Sequence, residues 1–317
     1  MKKSRALLGQ ISDTDIRLLR VFKSVVNCGG MAAAELELNI GTSTVSRHIK
    51  DLETRLGLTL CTRGRAGFAL TPEGSRVYEE TLRLISSMDL FRSGIDDIHG
   101  RLGGKVNLAI FDKTATNPEA HIGKALALFH ERAPAVSLNV YVSTINAIER
   151  GVIDGEFQVG IIPAHRTSSI LDYSTLFRET MLLYCGNSHP LYDAADSRLT
   201  WESLRSHAFA VLGEHSPNME LSHKHQLQSK ATGFDQEAIA TLILSGNFLG
   251  FLPDHYGDLF ERRGQIRAIA PARFRYECRF VSLQRRSPQP ARVVQLLSAC
   301  LAEAHPPQTF NLAAVKA

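Results

Sequence analysis

The chain has 317 residues, 44% of them apolar and 21% charged, which allows two or three domains with substantial cores. No apolar run approaches the roughly 18 residues that suggest a membrane span. The basic start MKKSRALLGQ also lacks the apolar stretch and cleavage site of a secretory signal, so a cytoplasmic location without a membrane partner is expected. The formal charge of +4 is unevenly placed. Residues 1–70 carry 11 Lys and Arg against 6 Asp and Glu, whereas the rest of the chain carries 25 against 26. A positive excess confined to one end is the electrostatic footprint of a segment that meets a polyanion.

Within that basic end, SDTDIRLLRVFKSVV opens with Ser12 and Asp15 in capping-box positions, the aspartate standing in for glutamate or glutamine. Ile16, Leu19, Phe22 and Val26 predict the buried stripe of a first helix, which Gly29-Gly30 stops. MAAAELEL predicts a short second helix, and Asn39-Ile40-Gly41 supplies the next turn. From Thr42 onward, Val45, Ile49, Leu52 and Leu56 recur at spacings of four, three and four, which places them on one helical face. The opposite face carries Ser43, Arg47 and Lys50, with Thr42 and Ser46 on its flanks and Thr44 in the same first turn. Short hydroxyls and long cations suit base edges and phosphates in a major groove. After Gly57, LGLTLC and GFALT flank TRGRAG, which predicts a β-hairpin whose tip presents Arg63 and Arg65. Two helices joined by a tight turn, then a basic hairpin, make a winged helix-turn-helix that binds double-stranded DNA.

Residues 11–74 resemble the N-terminal domain of LysR-type transcriptional regulators. The resemblance is carried by Ala34 and Leu38, by V-S-R-H-I-x-x-L-E from Val45 to Glu53, by Leu56-Gly57, and by L-T-x-x-G from Leu70 to Gly74. The chain departs from the family at Gly30-Met31-Ala32, at Gly41-Thr42-Ser43-Thr44, and at Cys61, where a phenylalanine is usual. Thr42 cannot make the bidentate adenine contact open to a glutamine. The DNA-binding domain is expected over residues 1–70.

From Pro72 to about His99 the sequence predicts one long helix. Val77, Thr81, Leu84, Met88, Phe91, Ile95 and Ile98 alternate by four and three, an a/d seam for a partner helix, so residues 71–100 are read as a dimerising linker. Beyond Gly103-Gly104, KVNLAIF, PEAHIGKALALFHERAP, SLNVYV, TINAIERGVIDG and FQVGII alternate strand and helix, with Ile122, Leu126 and Phe129 as the inner face of the first of these helices. MLLYCG, WESLRS, HAFAVLG, DQEAIATLILSG and FLGFLP form a second set, followed by the strand RYECRFVSL and the helix ARVVQLLSACLAEA. The fold class is therefore α/β, with a parallel sheet in each of two halves. The architecture is periplasmic-binding-protein-like over residues 101–305, with one subdomain of residues 101–179 plus 268–305 and another of residues 180–267. Crossovers are placed near Glu179 and Ala268, and residues 306–317 read as a loose tail.

The resemblance to LysR-type regulators continues here in His189-Pro190-Leu191, in Ser245-Gly246-x-x-x-Gly250-Phe251-Leu252-Pro253, and in Asp154-Gly155-Glu156-Phe157-Gln158-Val159-Gly160-Ile161, with Gln158 where aspartate is usual. It implies a homodimer or homotetramer, an effector held between the two halves, and RNA polymerase as a further candidate partner.

No GxSxG elbow, HExxH, Walker loop or post-strand GxGxxG is present, so neither an enzyme nor a cofactor is expected. The five cysteines stand singly and read as reduced, buried thiols. His215, His223 and His225 lack companion ligands and read as surface-loop histidines rather than a metal site. Ligands of open α/β sheets collect beyond the strands' carboxyl ends. That rule selects residues 111–117 after one strand, Phe111, Asp112, Thr114 and Thr116 among them, residues 143–146 after the next, with Ser143 and Thr144, and in the second half residues 213–218 with Phe234 and Asp235. Helix N-termini and hydroxyls favour an anion, so the expected effector is a small organic acid. Two features cut against a simple carboxylate site: Phe111 is bulky and could stack on an apolar body, and Asp112 would repel an anion if it faced inward. A solute-binding protein without DNA function is the alternative reading.

Overall fold

Ser12 starts the first helix, α1 (Asp13–Asn27), as the capping box requires. Its hydroxyl accepts the Asp15 N–H, and the Asp15 carboxylate accepts the Ser12 N–H at 2.8 Å. This is a computed structural model, and it describes residues 9–64, 67–99, 102–213 and 217–306. The buried face of α1 is Leu18, Val21, Phe22 and Val25, whereas Ile16, Leu19 and Val26 are only half-buried. The helix is thus rotated from the expected stripe. Apolar residues cover so much of its circumference that two stripes satisfy the 3.6-residue period. The buried one also carries Asp15, which pairs with Arg55 of the third helix.

The second helix, α2 (Met31–Leu38), ends at Asn39, whose φ of 51° turns the chain in the left-handed region. The third, α3 (Thr42–Leu56), buries Val45, Ile49 and Leu52 as expected and closes on Gly57. The hairpin pairs β1 (Cys61–Gly64) with β2 (Gly67–Leu70), placing Arg63 opposite Phe68. The Glu53 carboxylate accepts the N–H groups of Leu60 at 2.7 Å and Cys61 at 3.2 Å, pinning the hairpin to α3. Thr71 caps the long helix α4 (Pro72–Ile98), its hydroxyl accepting the Gly74 N–H at 2.8 Å. A Cβ on Gly74 would collide with the Leu60 carbonyl. Those contacts give the L-E and L-T-x-x-G motifs their physical content.

The chain divides into two compact units, one of residues 1–92 with 154–156 and one of residues 93–153 with 157–317. In the second unit β3 (Lys105–Ile110), α5 (Ile122–Arg132), β4 (Ser137–Val142), α6 (Ile145–Asp154) and β5 (Val159–Pro163) form the first half, with β3 parallel to both β4 and β5. On α5 the inner face is Ile122, Ala125 and Phe129, and Leu126 is half-buried. The second half holds α7 (Trp201–Leu204), β7 (Ala208–Leu212), α8 (Pro217–Lys224), β8 (Gln228–Gly233), α9 (Gln236–Leu244), β9 (Leu249–Pro253), α10 (Asp254–Glu261) and β10 (Ile266–Ala268). There β7 is parallel to β8 and β9.

Two long antiparallel strands join the halves, β6 (Leu171–Gly186) and β11 (Arg275–Arg285), with Glu179 opposite Cys278. Ala268 does not mark the return. It ends β10, which still pairs with Tyr184 of β6 in the second half, and β11 carries the chain back to β5. The sheet order is β4-β3-β5-β11-β6-β9-β7-β8, with β10 beside β6, and the closing helix α11 (Arg292–Ala304) packs on α5. The expected α/β fold is the fold observed. Among the described residues no helix is long and apolar enough to cross a membrane.

Candidate nucleic-acid interface and effector cleft

In the first unit, burial of Val45, Ile49 and Leu52 turns Ser43, Arg47 and Lys50 outward, and all three are exposed. Thr42, Thr44 and Ser46 are half-buried at the edges of that face. The Thr42 hydroxyl donates to the Glu35 carboxylate of α2, so it ties the two helices together. Arg63 lies on β1 beside the hairpin tip, and Arg65 lies outside the described residues. The scaffold beneath this face is fixed by Asp15, whose side chain is 2% exposed and takes two bonds from the Arg55 guanidinium and one from the Ser12 hydroxyl. These donors, Arg55 first, hold the Asp15 carboxyl well below the usual carboxylate range.

In the second unit, the loop after β3 meets the N-termini of α9 and α10. Asp112 does face inward: its Oδ2 accepts the Gln236 N–H at 2.8 Å, at the first residue of α9. Burial pushes its carboxyl up to about 6. Lys113, in the left-handed region at φ 58°, pairs with Glu237 and lies 4.8 Å from the centre of the Tyr256 ring. The Tyr256 hydroxyl donates to Glu237 at 3.0 Å. The Thr116 hydroxyl bonds His255 Nδ1 at 2.8 Å, and His255 Nε2 bonds the buried Glu179 at 3.0 Å. A polar chain therefore runs from the first half through α10 to the crossover strand β6.

The expected cleft residues fare unequally. Asp112 and Thr116 belong to this cluster, and Asp235 adjoins it, capping α9 through the Ala238 N–H at 2.7 Å. Phe111 does not offer a ring for stacking: it is buried in the core and donates its N–H to Ile161 O. Thr114 is buried in a short 3-10 turn. Thr144 caps α6 through the Ala147 N–H, and Ser143 donates its N–H to Ile110 O. Phe234 is exposed, and its ring lies over Gly213. Residues 214–216 of the selected loop, His215 among them, lie outside the described residues.

Lys113 lies within the selected loop 111–117; Glu179, Gln236, Glu237, His255 and Tyr256 were missed. The strand-end rule that selected the other loops also points to Asp254–Tyr256 after β9, but α10 is too short to register as an apolar period. His223 is exposed in the last turn of α8, not in a loop, whereas His225 lies in the turn that follows and stacks half-buried on Trp201 with ring centres 3.8 Å apart. The five cysteines are free thiols; Cys28 is half-buried and the other four are buried.

A helix-turn-helix with an outward cationic row, joined to an α/β domain whose halves share a polar cluster, fits a DNA-binding regulator rather than a solute carrier. Residues 16–75 match the family model for the bacterial regulatory helix-turn-helix protein, lysR family, and residues 99–305 match the LysR substrate binding domain. The chain belongs to the LysR family of transcriptional regulators. It is 40% identical over 297 residues to the HTH-type transcriptional activator BauR of Pseudomonas aeruginosa, covering 93% of this chain and 97% of that protein. The crystal structure of CbnR, a LysR family transcriptional regulator, superposes with a TM-score of 0.62 at 17% identity, over 92% of this chain and 99% of CbnR. CbnR in complex with its target DNA gives a TM-score of 0.60 at 18% identity, over 91% and 99%.

Proposed function

We propose that this regulator reads promoter DNA through α3 and the β1–β2 wing, and that a small organic acid in the cleft of the second unit controls it. The observation that carries the first half is the exposed row Ser43, Arg47 and Lys50 on a helix whose other face is buried. Arg47 and Ser43 meet base edges or adjoining phosphates. Lys50, Arg63 and Arg65 meet phosphates or the minor groove, with Thr44 and Ser46 flanking. Phe91 and Ile98 are 73% and 79% exposed in the single chain, at the end of the a/d seam of α4. Two copies paired along that seam set two recognition helices on the half-sites of a roughly palindromic operator. Pairing of the second units extends the dimer to a tetramer, and RNA polymerase is a further partner on the promoter.

The acid's carboxylate is assigned to Ser143 and Thr144 at the N-terminus of α6, since Asp112 already occupies the N-terminus of α9. A mobility-shift assay of the full chain on DNA beside its own gene tests the DNA reading. Retardation that weakens steeply with salt is expected, and its absence at low salt contradicts the proposal. Thermal-shift screening of the full chain against organic acids tests the effector. Binding that ignores Ser143→Ala and Thr144→Val together removes the carboxylate site.

A further inference from the structure

Beside the outward row of α3, the first unit holds an open pocket of about 440 Å³ between α3 and the start of α1. Its walls include Thr14 and Arg17 from α1, and Arg47, Asp51, Thr54 and Arg55 from α3. Arg47, Asp51 and Arg55 follow one another in steps of four, so the pocket runs along one flank of α3 for about two turns, on the order of 12 Å. Arg55 is engaged with the buried Asp15. Arg17 and Arg47 are exposed, and neither has an ion pair among the described residues. Asp51, also exposed, is the one carboxylate among the described residues lining the pocket. Thr14 lies in the first turn of α1, where N–H groups without helical partners favour an anion.

We infer that this pocket is a socket for a backbone phosphate of the operator, held by Arg17 from α1 together with Arg47 from α3, and that Asp51 tempers its hold. The inference rests on the reading of α3 as the recognition helix. A helix with its side chains is roughly 10–12 Å across and fills a major groove about 12 Å wide, so each flank meets one sugar-phosphate strand. On the flank toward α2, the Thr42 hydroxyl is spent on Glu35. The flank toward α1 is the one with open space and two uncommitted guanidiniums. A guanidinium presents a fork of donors that matches two phosphate oxygens. The Asp51 carboxylate opposes the same phosphate, so it lowers a part of the affinity that carries no sequence information.

Fluorescence anisotropy of the full chain over a salt series tests this, with a duplex from beside its own gene and a shuffled duplex of the same composition. Arg17→Ala should weaken both duplexes by about 5-fold and lower the slope of log affinity against log salt by about 1. The ratio between the two duplexes should not change. Asp51→Asn should tighten both by a similar factor, a gain that a damaged fold cannot give. Arg17→Lys keeps the charge and should keep the native salt slope. A native chain that prefers its own duplex, matched in affinity and slope by both Arg17→Ala and Asp51→Asn, overturns the socket and leaves the recognition helix standing. A loss in Arg17→Ala confined to the chain's own duplex places Arg17 on a base and also overturns the socket. A native chain that binds neither duplex at low salt contradicts the recognition helix itself.

Discussion

Asp15 and Asp112 are carboxylates withdrawn from water, and the two units treat them in opposite ways. Asp15 receives the Ser12 N–H and hydroxyl and two bonds from Arg55, so its charge is favoured where it sits. Asp112 receives one backbone N–H, keeps an orphaned oxygen, and has its carboxyl pushed up to about 6 by burial. The first is a satisfied network that locks α1 to the recognition helix. The second is an incomplete one where the two halves of the second unit meet. A satisfied buried charge stabilises the structure around it, whereas an unsatisfied one costs free energy.

The largest effect should come from breaking the satisfied network. Asp15→Ala removes the bonds to Arg55 and half of the capping box, and should cost about 2 kcal/mol of stability, read as a lower urea midpoint at pH 7. Acid should mimic it. The folded-state value lies below the unfolded one near 3.8, so the stabilisation is present above about pH 4 and is lost as pH falls below that. A midpoint that does not respond to Asp15→Ala would erase the contrast with Asp112.

Asp112→Asn should act with the opposite sign. The folded-state carboxyl at about 6 lies above the unfolded 3.8, so stability falls as pH rises from about 4 to about 6 and stays lowered above that. The variant should be more stable than the native chain by about 1–2 kcal/mol at pH 8, after allowance for partial solvent screening. The two should converge below pH 4. Urea titrations of the ligand-free chain at both pH values check this, and an equal or destabilised variant at pH 8 would show Asp112 to be well satisfied. The smallest effect belongs to the cap alone: Ser12→Ala should cost about 1 kcal/mol, less than Asp15→Ala by the share that Arg55 carries.

The same contrast explains what was legible beforehand. The exposed cations of α3 follow from its own helical period, since Val45, Ile49 and Leu52 leave Ser43, Arg47 and Lys50 no other side. The rotation of α1 was not legible, because apolar residues at 16, 18, 19, 21, 22, 25 and 26 permit two stripes and Arg55 of α3 decides between them. In the second unit β8 is a polar edge strand, defined by its pairing with β7 rather than by alternation. The buried side of α8 is made of Asn218 and Ser222, and α10 is only eight residues long with Gly257 pressed against Tyr184. None of these carries an apolar period. The contacts between the halves join residues more than 120 positions apart, such as Asp112 with Gln236 and Lys113 with Glu237. Helix and strand periods describe near neighbours, so those partners emerge only once the halves are assembled.

Arg47→Ala tests most directly whether the exposed face of α3 reads DNA, beside Lys124→Ala, which removes an exposed cation of the second unit. Operator affinity would be measured by fluorescence anisotropy at fixed salt, with circular dichroism confirming that both variants fold. Arg47→Ala should weaken binding by about 5- to 150-fold and relax sequence preference, as the loss of about 1–3 kcal/mol implies, while Lys124→Ala should leave it unchanged. Equal affinities for the native chain and Arg47→Ala would contradict the assignment of α3 as the recognition helix.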